Sequence, residues 1–210
     1  MTLKEARERL IRNLIEKKFL KTEKVIQAVR EVPRELFVPE KFKKFAYADN
    51  PLPIGIGQTI SAPHMVAVMT ELLEPKKTDK VLEIGAGSGY HAAILSKLVK
   101  MVYTIELEHD LVISARKVLQ KCGCKNVEII EGDGNEGYEQ AAPYDKIIIT
   151  CAAQEIPKRL VAQLKDGGRF VAPLGGTFVQ ELVVGTKKGE ELILETHFNC
   201  VFVPMRKGKK

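Results

Sequence analysis

The 210-residue chain is poor in the features that mark several protein classes. Its four cysteines, Cys122, Cys124, Cys151 and Cys200, form no C-x-x-C pair, and its four histidines have no metal-ligand spacing. Neither a zinc site nor a disulfide framework is expected, and no metal is assigned. No apolar run approaches the ~20 residues a membrane span needs. The segment Leu3 to Phe19 is charged and amphipathic rather than basic and then apolar, so it does not read as a secretory signal. There is no internal repeat, no low-complexity tract and no Asn-Gly pair. The net charge of +6 is modest, and much of the excess lies in Arg206, Lys207, Lys209 and Lys210. Such a tail is more often a solvated end than a nucleic-acid contact. These absences lead to the expectation of a soluble, cytoplasmic protein of one domain over residues 1–210 with no membrane or nucleic-acid partner; it is taken to be a monomer, which no feature of the sequence decides.

What the chain does carry is centred on Val81 to Tyr90, Val-Leu-Glu-Ile-Gly-Ala-Gly-Ser-Gly-Tyr. Val81, Leu82 and Ile84 suit a buried strand, three glycines at alternate positions suit a tight turn, and a helical pattern begins at Tyr90. Glycine allows left-handed backbone and close approach of a ligand, and the N–H groups of the following helix point at that ligand. The dinucleotide fingerprint Gly-x-Gly-x-x-Gly places its last glycine one residue later, where this chain has Tyr90. With Glu83 ahead of Gly85, Gly87 and Gly89, the spacing resembles the S-adenosylmethionine loop of Rossmann-like methyltransferases.

In chain order, Leu10, Leu14 and Ile15, then Val25, Ile26 and Val29, fall at helical spacing, predicting two helices before Pro33. Residues 46–65 hold three prolines and two glycines and read as a structured loop with a binding or lid role. Ser61 is placed to cap a helix starting at Ala62 and Pro63. After the glycine turn come a helix to about Leu98, a strand at Val102–Ile105, a helix at Leu111–Lys121 and a strand at Val127–Ile130. Tyr144–Thr150 reads as a central strand and Ile156–Leu164 as a helix. Asp166-Gly167-Gly168 reads as a turn into a strand at Arg169–Pro173. Residues 179–186 and 192–203 suit an antiparallel edge pair. Alternating strands and helices predict an α/β, doubly wound, mostly parallel sheet. Glu83, Glu106, Asp133 and Thr150 then share the rim where ligands of such sheets bind, and Glu106, about 20 residues past the glycines, suits ribose hydroxyls.

With these residues in place the chain resembles the protein-L-isoaspartate O-methyltransferase family. The likeness covers Arg34-Glu-Leu-Phe-Val-Pro39, Gln58-Thr-Ile-Ser-Ala-Pro-His64, Leu82 to Tyr90, Val102 to Glu106, Gly132-Asp-Gly134 and Gln163 to Gly168. The Gln-Thr-Ile-Ser-Ala-Pro-His string is its most specific part. The resemblance implies a Rossmann-like class I S-adenosylmethionine-dependent methyltransferase, with N-terminal helices and a substrate loop in residues 1–78 and the cofactor core in 79–210. It implies methyl transfer to the free α-carboxylate of L-isoaspartyl residues in damaged proteins and peptides, initiating repair and leaving S-adenosyl-L-homocysteine. Glu83, Gly85, Gly87 and Gly89 would hold the methionine part, Glu106 the ribose hydroxyls, and Asp133 with the Gly134 N–H the adenine, with Thr59 and Leu107 also among the cofactor-binding residues. Thr59 and Ser61 would line the methyl-transfer site, with Ile56, Gln58 and His64 joining them toward the substrate. Ala86 and His91 stand where many relatives carry Thr and Gln.

A carboxylate is ionised at neutral pH and needs no general base. A positive side chain clamped on it would stabilise the reactants more than the transition state. Pro51 to Ser61 contains no basic residue, so Ser61 is assigned to orienting the acceptor by a neutral hydrogen bond. A Ser61–His64 hydrolase pair is disfavoured, since no Gly-x-Ser-x-Gly elbow surrounds the serine. His64 is read as a packing or capping residue, Tyr47, His109 and the cysteines as structural, and Asp145 and Asp166 as turn residues. The alternatives are a nicotinamide dehydrogenase, a methyltransferase acting on RNA or a small molecule, and a cofactor-binding module without catalysis.

Overall fold

The computed structural model describes residues 2–208; Lys209 and Lys210 of the basic tail lie outside the described residues. Helix α1 (Leu3–Glu16) opens on a capping box, with the Thr2 hydroxyl accepting the Glu5 N–H at 3.2 Å and the Glu5 carboxylate accepting the Thr2 N–H at 2.7 Å. It buries Leu10, Ile11 and Leu14, and helix α2 (Glu23–Glu31) buries Val25, Ile26 and Val29, so both predicted N-terminal helices are present. The free N–H groups ahead of α2 go to Glu71 of helix α3 (Pro63–Leu73), whose carboxylate accepts Lys21 and Thr22 N–H at 2.7 and 2.8 Å. This fastens the N-terminal helices to the helix that follows the proline-rich segment 46–62.

The segment read as a structured loop contains regular structure. Strands β1 (Leu52–Gly55) and β2 (Gln58–Ile60) form an antiparallel hairpin, with Gly55, Ile56 and Gly57 at its tip, all at positive φ. Prolines are tolerated because a two-stranded ribbon has a free edge on each side. Ser61 does not cap α3: the N-cap position is Ala62, and Asp49 supplies the hydrogen bond, accepting the His64 N–H at 2.9 Å. The predicted cap is therefore replaced by a carboxylate brought close through space.

The main sheet has the order β5-β4-β3-β6-β7-β8-β9. Strands β3 (Lys80–Ile84), β4 (Met101–Glu106), β5 (Val127–Glu131), β6 (Tyr144–Ile149) and β7 (Leu164–Gly175) are parallel. Strands β8 (Gln180–Lys188) and β9 (Glu191–Cys200) close one edge antiparallel, as predicted. Helices α4 (Tyr90–Ser96), α5 (His109–Lys121) and α6 (Lys158–Gln163) connect the parallel strands. Val81, Val102, Ile148 and Val171 face the core shared with α1 to α5, while Leu82, Ile105, Ile147 and Phe170 face a smaller core with Leu160 of α6. That is the alternation expected of strands buried on both faces. Asp166-Gly167-Gly168 is not a separate turn: β7 runs through it, with a register irregularity against β6 and Gly167 at φ 71°. Asp145 lies within β6 rather than in a turn, accepting the Lys80 N–H at 2.8 Å and the Lys165 ammonium at 2.5 Å.

The parallel strand order reverses direction at β3, which has β4 on one side and β6 on the other, and the clefts of such sheets open at that point. One buried cation sets the hairpin against it. Arg34 has no exposed surface; its Nε donates to Ala46 O at 2.9 Å, its Nη2 to Ser61 O at 2.8 Å, and its guanidinium lies 5.0 Å from the Tyr90 ring centroid. Arg34→Met leaves both carbonyls without these donors and is expected to lower stability by roughly 1–3 kcal/mol, read as a lower urea midpoint. An unchanged midpoint would show that water or neighbouring groups replace both bonds.

Candidate active site

The glycine turn takes the predicted conformation, with Gly85, Gly87 and Gly89 at φ 97°, 53° and 83°. A Cβ on Gly85 would lie 2.8 Å from the Thr150 hydroxyl, and one on Gly89 would press on Leu119 and Ala115 of α5. The turn's donors are less available than the sequence suggested. Gly85 and Ala86 N–H go to Ile105 O, Gly87 N–H to Glu106 and Gly89 N–H to Ala86 O. Among the described residues the N–H groups of Ser88, His91 and Ala92 make no hydrogen bond.

Two adjoining clefts open beside this turn. One, of about 510 Å³ including its mouth, is lined by Thr59, Ser61, Gly85, Gly87, Tyr90, His91 and Thr150. The other, of about 450 Å³, is lined by Leu107, Glu108, Gly134, Pro204, Met205 and Arg206. They share Gln58, Gly85, Glu106 and Cys151 and so form one trough across the carboxyl ends of β3 and β4. Glu106 sits at the junction: Oε2 accepts the Gly87 N–H at 2.8 Å, and Oε1 accepts Leu107 and Glu108 N–H at 2.9 and 3.1 Å. A carboxylate has about four acceptor sites, so capacity remains for a hydroxyl in the trough.

The other predicted site residues divide. Glu83 is sealed: it lines neither cleft, Oε2 accepts the Thr104 hydroxyl at 2.6 Å, and Oε1 has no hydrogen-bond partner among the described residues. Burial, with Glu106 adding to it against the Thr104 bond, pushes its pKa up to about 8. Asp133 also lines neither cleft. Its carboxylate accepts Asn135 N–H at 2.8 Å, the Asn135 amide at 2.7 Å and Gly208 N–H at 2.8 Å; burial raises its pKa, and these bonds bring it below the ordinary carboxylate range. Gly134 and Leu107 do reach the trough. Ile56 is at the hairpin tip, exposed, and lines neither cleft. His64 is held by Asp49, its Nδ1 lying 2.9 Å from Oδ1, and it packs on Phe19. No hydrogen bond joins it to the Ser61 hydroxyl among the described residues, so there is no hydrolase relay.

Sequence reasoning gave no role to several residues that line the trough. His91 stands between the trough and α3: Thr70 donates its hydroxyl hydrogen to Val66 O at 2.7 Å, so at 2.9 Å it accepts from His91 Nε2. Burial lowers the His91 pKa to about 4 and raises the Cys151 thiol to about 12, so both are neutral at pH 7. Nothing in a lone cysteine or histidine announces this, because burial on both sides of the sheet creates it. Beyond the trough, Thr59 and Ser61 also line a broad apolar groove with Phe19, Met65, Phe198 and Phe202. Among the described residues no group of three or more His, Cys, Asp or Glu could hold a metal ion, and no helix is long and apolar enough to cross a membrane.

A doubly wound sheet with a glycine turn, a rim carboxylate and a trough between them defines a Rossmann-like S-adenosylmethionine-dependent methyltransferase. The family model for protein-L-isoaspartate(D-aspartate) O-methyltransferase matches residues 5–210. An Archaeoglobus fulgidus protein-L-isoaspartate O-methyltransferase 2 is 50% identical, covering 98% of this chain and 95% of the relative. The Fervidobacterium nodosum protein-L-isoaspartate O-methyltransferase is 52% identical over 87% of this chain and 94% of its own. A solved protein-L-isoaspartate O-methyltransferase superposes with a TM-score of 0.87 at 29% identity, over 94% of this chain and 65% of that one. A Plasmodium falciparum beta-aspartate methyltransferase crystallised with S-adenosyl-L-homocysteine gives 0.84 at 26%, over 96% and 99%. The chain belongs to the protein-L-isoaspartate O-methyltransferase family.

Glu83 generates a pH prediction. Its folded pKa of about 8 lies above the reference value of 4.5, so between those values the folded state holds a proton the unfolded state has lost. Its contribution is fully present below the lower value and is lost as pH rises toward the upper one, at up to roughly 1.4 kcal/mol per pH unit. Glu83→Gln should remove this loss, so that the stability difference between variant and parent grows from pH 4.5 to 8. Parallel stability curves in urea would contradict a protonated Glu83.

Proposed function

We infer that the chain transfers the methyl group of S-adenosylmethionine to the free α-carboxylate of L-isoaspartyl residues in damaged proteins and peptides, initiating their repair. One observation carries the residue assignment: Thr59 and Ser61 stand on the wall common to the trough and the apolar groove. The trough suits the cofactor, with Gly85, Gly87 and Gly89 giving close backbone approach, Glu106 offering acceptor capacity to the ribose, and Leu107 and Gly134 flanking the adenine side. Glu83 and Asp133 belong to this set from behind its lining, Glu83 tied to Thr104 and Asp133 to Asn135 and Gly208. The groove suits an extended polypeptide, whose backbone loop groups can hold without reading side chains. Ile56, Gln58 and His64 complete the substrate side. The chain is taken to act as a monomer in the cytoplasm, without a nucleic-acid partner, the last in keeping with its modest charge of +6.

When bound, S-adenosylmethionine supplies the electrophilic methyl group of a sulfonium. The chain's own part is alignment and exclusion of water. An anion meeting a cation loses charge as it reacts, so a dry and weakly charged site favours the transition state. Among the described residues no lysine or arginine lines the cleft around Ser61; Arg34 meets Ser61 only at its carbonyl. The Ser61 hydroxyl makes no hydrogen bond among the described residues and is free to orient the acceptor carboxylate. His91 and Cys151, both neutral, add polarity without charge.

Two peptides differing only in an aspartyl or isoaspartyl linkage, incubated with methyl-labelled S-adenosylmethionine, test the reading. Label should enter only the isoaspartyl peptide, as a base-labile ester; label in neither, with the cofactor still bound, would redirect the search to RNA and small-molecule acceptors. Ser61→Ala should lower kcat by roughly tenfold or more while the cofactor Kd stays near that of the parent. A full-rate variant would remove Ser61 from the mechanism.

A further inference from the structure

The residues after β9 lie along the trough. Ala152 N–H donates to Val203 O and Met205 N–H to Ala152 O, both at 2.8 Å, so the segment runs beside residue 152 as a short parallel bridge. Farther on, Gly208 N–H donates to Asp133. Between these anchors Pro204, Met205 and Arg206 form one wall of the cleft that Leu107 and Gly134 also line. The opposite cover is the β1–β2 hairpin: a Cβ on Gly87 would lie 3.4 Å from Ile54 Cδ1, and Gln58 lines both clefts.

Arg206 joins the two. Its Nη1 meets Glu108 Oε1 at 2.7 Å, and its Nη2 donates to Ile56 O at 3.2 Å, across 150 residues of sequence. Ile56 is the hairpin tip, a β-branched residue at φ 52° with 42% of its surface exposed. A β-branched side chain in the left-handed region is strained and persists where surrounding contacts hold it. Its side chain is only partly packed, so the grip on its carbonyl is one such contact.

We propose that Arg206 is a positioning residue that fastens the hairpin over the trough, and that breaking this fastening speeds the exit of S-adenosylhomocysteine. The proposal rests on the cofactor part of the function above. A ligand lying between hairpin and C-terminal segment leaves when one of them moves, and Arg206 resists their separation. Release of product can limit turnover in enzymes with closing segments.

The experiment measures S-adenosylhomocysteine release by stopped-flow displacement from the full chain, its Arg206→Ala and Arg206→Lys variants, and Ile56→Gly. The Arg206–Glu108 pair is half-exposed and worth little in stability, so Arg206→Ala should raise the release rate by roughly threefold to fivefold at low salt, with the thermal midpoint unchanged. Lysine cannot fork to two acceptors and should fall between. Added salt should bring the parent toward the alanine variant while leaving that variant unmoved. Ile56→Gly relieves the strain, so Arg206→Ala combined with it should raise the release rate over Ile56→Gly alone by less than Arg206→Ala raises it over the parent. Equal release by parent and Arg206→Ala at low salt overturns the proposal, as does an acceleration accompanied by a lower midpoint and no salt dependence. No methyl acceptor is involved, so failure with isoaspartyl peptides leaves this readout intact.

Discussion

The guanidinium of Arg34 is the constraint on which the working end of the molecule depends. Burying a cation is costly, and burial holds this group's pKa below its ordinary value. Among the described residues its Nη1 has no hydrogen-bond partner. What the placement secures is geometry: the two carbonyls it grips, Ala46 and Ser61, flank the hairpin on both sides. The hairpin therefore extends from a fixed base instead of a floppy loop. Stacking on Tyr90 sets that base against the first residue of α4, so the hairpin and the glycine turn share one reference point. A lysine could not span the same three partners, because it lacks a planar fork of donors.

Around that base, polarity and charge are kept apart. Side chains facing the trough near Ser61 are small, apolar or neutral, and two that could ionise in water, His91 and Cys151, are held neutral by burial. Ionic contacts lie at the margin, where Glu106 is saturated by backbone donors on one side and Arg206 pairs with Glu108. The arrangement fits a reaction in which opposite charges merge, since a fixed charge at the centre would stabilise the separated ions.

Much of this was legible in the order of residues. The parallel sheet follows from apolar strands at regular spacing, and the glycine turn from three glycines whose positive φ values only glycine adopts freely. The hairpin was not, because its prolines and glycines erase the alternation that marks a strand. Ser61 looked like a helix cap on local grounds, but Asp49, fifteen residues before the His64 N–H it accepts, takes the task through a contact that no local pattern encodes. Glu83 and Glu106 both sit at strand ends, yet one is turned into the sheet and the other into the trough. Side-chain direction of this kind depends on which neighbour, here Thr104, the strand alternation presents. The grip of Arg34 on Ser61 and of Arg206 on Ile56 likewise joins segments whose proximity exists only after folding.

The sealed carboxyl beneath the glycine turn has a consequence for the charge of the whole fold. Glu83 holds its proton at neutral pH because desolvation makes its anion costly and Thr104 alone does not compensate. A protonated carboxyl is a donor as well as an acceptor, so the strand end behind the turn carries a neutral group where the sequence shows an acid. The formal count of acidic residues therefore overstates by about one the negative charge that the folded chain carries at neutral pH.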